Sequence, residues 1–170
     1  MGALFNHIGI GTGIALYAML LWMVLRGDRH VGGAARPRFD PLLLATAVLG
    51  LVWNLCALPV YELMKLGAAE PVPVLTAVGF TALGLLPAVV VHSVLRRSGG
   101  HVGGRLAFTI VCVAYAVSGT AAALHLGALV TGGQLPSAVG MRLLTYTFVA
   151  LAIPLAAITR GQQSERRALW

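Results

Sequence analysis

The sequence is poor in charge, and especially in acidic residues. Only 10% of its 170 residues are charged, five acidic against twelve basic, while 58% are hydrophobic and the mean hydropathy is +0.87. A water-soluble domain needs a charged and polar coat, which this composition excludes. The net charge is +7, and the basic residues that produce it lie beside apolar runs and do not form a basic face. Contact with lipid headgroups therefore explains them better than nucleic-acid binding.

Residue patterns that carry catalysis or bind metal are also missing. We find no paired carboxylates, no context for a nucleophilic serine and no zinc-ligand spacing, so no enzyme activity, metal or other cofactor is expected. Cys56 and Cys112 lie in apolar runs, at depths of roughly 21 and 10 Å above one membrane edge at ~1.5 Å per residue. This difference argues against a disulfide and predicts two buried thiols.

Apolar runs dominate the chain instead. Because a helix needs about 20 apolar residues to cross the hydrocarbon, we predict an all-α integral membrane protein, a single domain over 1–170 folded as a bundle of five transmembrane helices. Asp40 followed by Pro41 is a typical helix start. The predicted helices span about 8–25, 42–66, 72–95, 106–130 and 138–158.

Basic residues are divided between alternate connecting segments. The segments predicted to lie outside hold only Lys65 and Arg142. Cytoplasmic segments are enriched in basic residues, so we expect a multi-pass membrane protein with its amino terminus outside and its carboxyl terminus in the cytoplasm. The segments predicted to be cytoplasmic hold Arg26, Arg29, Arg36, Arg38, Arg96, Arg97, Arg105, Arg160, Arg166 and Arg167.

Polar residues within or beside the apolar runs are the candidate functional residues, because each is costly in lipid unless it meets a partner or a cavity. Counting ~1.5 Å per residue, His7, Glu62, Lys65, His125 and Arg142 fall near the outer boundary. These five residues are a candidate ligand or sensing cluster for an anionic or protonatable ligand. The alternative is structural, since Glu62 and Lys65 are three residues apart and can pair on one helix face.

Two further features concern helix packing. Asn54 falls near the membrane midplane, where an interhelical hydrogen bond would contribute about 0.6–2 kcal/mol. The glycine-rich stretch at 9–13 follows no strand and continues as a membrane helix, so it is not a nucleotide-binding loop. We instead expect Gly9 and Gly13 to make a close helix contact.

Three passages share their order and spacing with a known family. They are Leu-Tyr-Ala-Met-Leu-Leu at 16–21, Leu-Val-Trp-Asn-Leu at 51–55 and Leu-Leu-Pro-Ala-Val-Val-Val-His-Ser at 85–93. In these passages the chain resembles the amino-terminal seven-helix membrane region of bacterial sensor histidine kinases, here as a five-helix fragment or truncated relative. The matched signature positions are Trp53, Asn54, Pro87 and His92.

The resemblance implies a multi-pass sensor or anchor of the bacterial inner membrane that precedes cytoplasmic kinase domains in two-component signal transduction. The chain has no phosphoacceptor histidine followed by an acidic residue and proline, and no glycine-rich ATP-binding boxes. We therefore expect a non-catalytic sensory or anchoring module that signals by helix rearrangement. Its expected partners are the lipid bilayer and either further copies of the chain or a larger membrane complex.

Two alternatives remain open. One is an accessory transmembrane subunit of a redox or photosynthetic complex with a haem or quinone contact. A transmembrane bis-histidine haem needs two imidazoles at one depth on facing helices, and only His7 with His125 qualifies by depth. The other is a transporter or channel, for which the chain lacks an inverted repeat and a charged path at the midplane.

Overall fold

Helices account for nearly all of the described backbone. The computed structural model describes residues 2–27, 40–68, 70–97 and 104–168, and within these ranges the prediction of an all-helical protein is confirmed. Three basic residues of the topology prediction, Arg29, Arg36 and Arg38, lie outside them. The five described helices are α1 (Gly2–Gly27), α2 (Pro41–Leu66), α3 (Val72–Arg97), α4 (Gly104–Val130) and α5 (Ala138–Ala168).

Four of the described helices are long and apolar enough to cross a membrane. Their spans have mean hydropathies of 1.8 to 2.3, and four such helices indicate a multi-pass membrane protein. In α5 the apolar stretch whose side chains the structure describes is shorter, Ala138–Ile153, although apolar residues continue to Ile158 in the sequence. Its helix nevertheless extends to Ala168, past the predicted end at 158, because polar residues also satisfy their backbone hydrogen bonds in a helix. The four spans are Asn6–Arg26, Pro41–Leu66, Val72–Arg96 and Gly104–Val130.

The start of α2 shows how local sequence sets a helix boundary. Asp40 has an extended backbone, and its carboxylate accepts a hydrogen bond from the Leu42 N–H at 3.1 Å, while Pro41 occupies the first turn. This cap is the one that the sequence predicts. Asp40 also faces Arg96 at 3.6 Å between Oδ1 and Nη1, which joins the start of α2 to the end of α3.

The helices pack in chain order, each against the next and antiparallel to it. α3 also contacts α5, but within the described residues α1 packs against α2 alone. The predicted bundle is therefore open at α1. Because neighbouring helices are antiparallel, their termini lie at two levels. We call the level at which α2 turns into α3 the Gly67 end, and the opposite level the Asp40 end. Leu16, Met19 and Trp22 of α1 are each about 60% exposed, as expected for lipid-facing side chains.

The core lies between α3 and α4. Ala88, Val91 and Leu95 of α3 pack against Ile110 and Ala114 of α4. Small side chains let the two backbones approach closely, which is the usual source of van der Waals attraction between helices in lipid.

A hydrogen bond adds to this packing. The buried Ser118 hydroxyl of α4 donates to the Gly84 carbonyl of α3 at 2.7 Å. The α3–α4 pair is thus joined by both packing and a buried polar contact.

Glycines set the contact between α1 and α2. A Cβ at Gly13 would lie 2.8 Å from Asn54 Cγ, and one at Gly50 would overlap the Tyr17 ring, so each helix receives a side chain of the other. The predicted contact through Gly13 is confirmed. The one through Gly9 is wrong, because no atom lies within 4 Å of a Cβ built there. The interhelical hydrogen bond predicted for Asn54 is also wrong, since its amide donates to the Gly50 carbonyl of its own helix at 2.7 Å.

The two cysteines differ in burial. Cys56 is buried between helices, whereas Cys112 is exposed on α4. The prediction of two buried thiols therefore holds for Cys56 and is wrong for Cys112. Depth in a membrane says nothing about which side of a helix a residue occupies, so an apolar run can place a thiol toward lipid as readily as toward another helix.

Candidate functional site

A cluster of polar side chains joins α1 to α2 at the Gly67 end. Glu62 pairs with the His7 imidazole of α1 and, one helical turn along α2, with Lys65 at 3.3 Å. The Lys65 ammonium lies 4.0 Å from the centre of the Tyr61 ring, and the His7 ring meets the same ring edge-on with centroids 4.9 Å apart. We call these four residues the rim cluster.

The rim cluster contains three of the five residues predicted to form a ligand or sensing cluster. Each of its ionisable side chains is about 40% exposed, and the Glu62 carboxylate faces both basic partners. Such pairs contribute little to stability at exposed positions. They do, however, neutralise one another, so the cluster presents no strong net charge of either sign.

The other two predicted residues, His125 and Arg142, lie elsewhere. His125 is fully buried on α4, and its Nδ1 accepts a hydrogen bond from the Ser137 N–H at 3.1 Å. Arg142 is exposed on α5 and has no ion pair with any residue that the structure describes. Equal depth placed all five residues at one level, but the rim cluster belongs to α1 and α2, which do not contact α4 or α5 in the described parts of the chain.

This arrangement also bears on the haem alternative. His7 lies on α1 and pairs with Glu62, whereas His125 is enclosed by α3, by α5 and by the segment that precedes α5. The described parts of α1 and α4 make no contact. The two imidazoles therefore do not face each other across one helix interface, as a bis-histidine haem requires.

The environment of His125 leaves one polar atom without a partner. Because Nδ1 accepts a backbone N–H, the proton of a neutral imidazole lies on Nε2. Nε2 is buried and has no hydrogen-bond partner among the described residues. A Cβ at Gly140 would lie 3.1 Å from the His125 Cε1, so α5 approaches the ring closely. An unsatisfied buried donor destabilises the folded state by about 1–3 kcal/mol, so the unpartnered Nε2 is a costly feature of this position.

A cavity of about 710 Å³ lies between α1 and α3, with α2 as its floor. We call it the α1–α3 groove. The described parts of α1 and α3 do not contact each other, so the groove is open on the side away from α2. It is lined by Asn6, Gly9, Ile10, Trp53, Asn54, Cys56, Ala57, Val60, Tyr61, Met64, Val72, Leu75, Thr76, Gly79, Phe80, Leu135 and Pro136.

The lining of the α1–α3 groove is apolar and aromatic with a few polar groups, and none of the described residues that form it is charged. Trp53 and Phe80 meet edge to face with centroids 5.1 Å apart. Both the volume and this mixture of side chains are typical of small-molecule sites. The rim cluster shares Tyr61 with the groove, so the charged residues lie at its margin rather than inside it.

Sequence reasoning missed most of the groove. It ranked polar residues by depth, whereas Thr76, Phe80, Leu135 and Pro136 are ordinary residues of apolar runs and turns. A usable signal in the sequence was the presence of glycines in the helices that form the walls of the groove. A Cβ at Gly79 would lie 3.1 Å from the Cys56 Cβ, so that glycine permits the close packing of α3 on α2.

The four positions that the sequence comparison assigned to a sensor-kinase signature divide into two pairs. Trp53 and Asn54 line the α1–α3 groove. Pro87 and His92 lie further along α3 toward the Asp40 end. The His92 Nδ1 lies 3.4 Å from the Tyr115 hydroxyl of α4, and the two rings meet edge-on with centroids 5.9 Å apart. This second pair therefore belongs to the α3–α4 interface.

Phe80 and the segment before α5 connect the groove to His125. One part of Phe80 lines the groove, and its ring centroid lies 5.8 Å from that of His125. Leu135 and Pro136 also line the groove, while the next residue, Ser137, donates its N–H to His125. The groove and the buried imidazole thus share two walls.

Comparison of the chain with family models, with curated proteins and with solved structures finds no match. The resemblance to sensor kinases accordingly depends on the three passages at 16–21, 51–55 and 85–93. Within the described residues, no three His, Cys, Asp or Glu side chains come together as a candidate metal site. The features of the described structure that bear on function are the groove, the rim cluster and His125.

Proposed function

We propose that the chain is a non-catalytic membrane sensory or anchoring module of the bacterial inner membrane, similar to the input region of a sensor histidine kinase. It crosses the membrane five times, with α5 as the fifth crossing, its amino terminus outside and its carboxyl terminus in the cytoplasm. The supporting observation is that Arg26, Arg96 and Arg105 all lie near the Asp40 end of their helices, where the positive-inside rule favours the cytoplasm. The groove then lies toward the outer face.

The connection between the groove and His125 carries the sensory proposal. A ligand in the α1–α3 groove would contact Phe80 and the segment Leu135–Pro136, both of which adjoin the buried imidazole. His125 holds Ser137 at the start of α5, and α5 runs from there toward the Asp40 end. A ligand that binds two packing arrangements of α5 with different affinities shifts their populations.

Such a module passes its signal to a kinase. The sequence contains no catalytic motif, so a change in α5 must act on a catalytic domain in the same polypeptide or in a partner. Many large apolar side chains of the described helices are exposed, among them Phe108, Tyr146 and Ile153, each at least 70%. Such surfaces are suited to lipid, to further copies of the chain or to other membrane helices.

Affinity purification from native membranes tests this proposal. The chain, tagged in its natural gene, is solubilised gently and its partners are identified by mass spectrometry. Isotope-labelled membranes without the tag are mixed in before solubilisation, so that association after lysis is recognised. Enrichment of a sensor kinase, or of kinase domains in the same polypeptide, supports the proposal. Enrichment of redox-complex subunits without a kinase contradicts it.

A further inference from the structure

Residues that line the α1–α3 groove carry hydrogen-bond donors that the described part of the chain does not use. The Trp53 indole N–H and the Thr76 hydroxyl have no hydrogen-bond partner among the described residues, although both residues line the groove. An unpaired donor is costly in a membrane interior. The buried Thr81 hydroxyl also has no partner among the described residues. Five other threonines donate instead to the carbonyl four residues earlier: Thr46, Thr109, Thr120, Thr131 and Thr145.

These donors indicate a ligand that accepts hydrogen bonds. Asn54 uses one amide N–H for the Gly50 carbonyl and retains a second. Trp53, Asn54 and Thr76, each with a donor left over, are thus three residues that line the same cavity from the neighbouring helices α2 and α3. Carbonyl oxygens are the simplest neutral acceptors for such donors.

The absence of charge in the groove limits the ligand further. In the part of the chain that the structure describes, no residue lining it is charged, and at its margin Glu62 is paired with both His7 and Lys65. An ionic ligand would lose its hydration there without gaining a counter-charge. The ligand is therefore expected to be neutral.

The shape and position of the groove point to a flat molecule that enters from lipid. Trp53 and Phe80 supply aromatic surfaces that are suited to contact with another ring. α1 and α3 do not meet in the described part of the chain, so the groove opens between two lipid-facing helices. Gly9 keeps this opening wide, because the space beside its Cα is empty. A long apolar tail can leave through it into the bilayer.

We propose that the α1–α3 groove binds a neutral, lipid-soluble molecule of the prenylquinone class, which combines a flat ring, carbonyl acceptors and an isoprenoid tail. Its ring lies against Trp53 and Phe80, and its carbonyl oxygens accept hydrogen bonds from Thr76, Trp53 or Asn54. The claim that this molecule is the stimulus of the module rests on the proposed sensory function. The claim that it binds in the groove does not.

Fluorescence quenching tests the site directly. The double variant Trp22→Phe with Trp170→Phe, in lipid nanodiscs, leaves Trp53 as the single tryptophan of the full chain. A benzoquinone carrying two isoprene units serves as the probe, because quinones quench indole fluorescence on contact. Saturable quenching of Trp53 supports the proposal, whereas quenching that rises linearly with the quinone content of the membrane overturns it.

Two matched glycine substitutions locate the bound quinone. Neither Gly9 nor Gly11 has an atom within 4 Å of a built Cβ, but only Gly9 lines the groove. In the Trp53-only background, Gly9→Leu is expected to weaken quinone binding at least tenfold, and Gly11→Leu to leave it unchanged. Thr76→Val removes one donor at nearly constant shape and should weaken binding about two- to tenfold. Equal affinities in all three variants overturn the proposal.

Brominated lipids distinguish the quinone from an ordinary acyl chain. Bromine on acyl chains also quenches Trp53 if a lipid tail occupies the groove, and bound quinone should then protect the indole. Bromine quenching that quinone does not change overturns the proposal.

The kinase readout separates the site from the sensory function. If quinone binds but neither quinone nor Gly9→Leu alters kinase phosphorylation, the sensory function fails and the site stands. A kinase response without binding in the groove overturns the site.

Discussion

The two sides of the row of helices are built differently. Between α3 and α4, small residues such as Ala88 and Ala114 are completely buried, and Ser118 adds a hydrogen bond between the helices. By contrast, the described part of α1 packs against α2 alone and has no fully buried side chain. It contacts α2 in two ways: through the close approaches at Gly13 and Gly50, and through the half-exposed rim cluster.

This difference suggests a division of labour. Well-packed interfaces open only at high free energy, whereas elements with few buried contacts move at little cost. The α3–α4 pair thus provides a fixed frame, and α1 is the element that can adjust to a ligand in the α1–α3 groove. Substitutions that weaken one side at a time separate these two roles.

Overpacking the α3–α4 interface should destabilise the whole protein. Ala114→Leu inserts three carbon atoms at a position that is 0% exposed, and such insertions typically cost about 1–3 kcal/mol of the free energy of unfolding. Denaturant-induced unfolding in mixed micelles measures this loss. Ala116→Leu, on the exposed side of the same helix, serves as the control and should change little. Similar losses in both variants would contradict the assignment of the core.

Substitution at Gly13 should loosen α1 and spare the frame. In Gly13→Ala the new methyl group meets the Asn54 side chain, which must move, and this strain should exceed the helix-propensity gain of up to ~1 kcal/mol. Hydrogen exchange followed by mass spectrometry should show faster exchange in α1 and unchanged exchange in α3 and α4. Gly11→Ala, where the space is open, should instead slow exchange in α1. Faster exchange across all helices would refute the proposed independence of α1.

Replacing His125 should act at the start of α5. His125→Phe keeps a ring but removes the acceptor of the Ser137 N–H, a loss of about 0.5–1.5 kcal/mol. The same change removes the unpartnered Nε2, so the free energy of unfolding should change little overall. Hydrogen exchange at the Ser137 amide should become faster while exchange in α1 stays the same. Unchanged exchange at Ser137 would argue against His125 as the link to α5.

The rim cluster should have the smallest effect. Glu62→Gln removes the charge that pairs with His7 and Lys65, and partly exposed pairs contribute little and are weakened by salt. Exchange at the start of α1 should rise slightly at low salt, and 0.5 M NaCl should reduce the difference between variant and parent. A large effect that salt does not alter would mean that the cluster is more than a surface contact.

The fold was more predictable than the site. The start of α2 follows from Asp40 and Pro41, and the spans follow from apolar length, because both depend on residues close together in the chain. The candidate cluster was predicted from depth alone. Depth fixes the position of a residue along a helix but neither the side of the helix it occupies nor the neighbour it meets. His7, Glu62 and Lys65 therefore came together, while His125 and Arg142 did not.

By itself, the sequence determined an all-helical chain whose long apolar runs suit a membrane, because each helix satisfies its own backbone hydrogen bonds and its hydropathy is a sum over its own residues. Tertiary structure alone decided that α1 contacts only α2 among the described elements, that a groove opens between α1 and α3, and that His125 is enclosed beside it. These features depend on which helix sides meet, and small differences in packing between distant residues decide that choice.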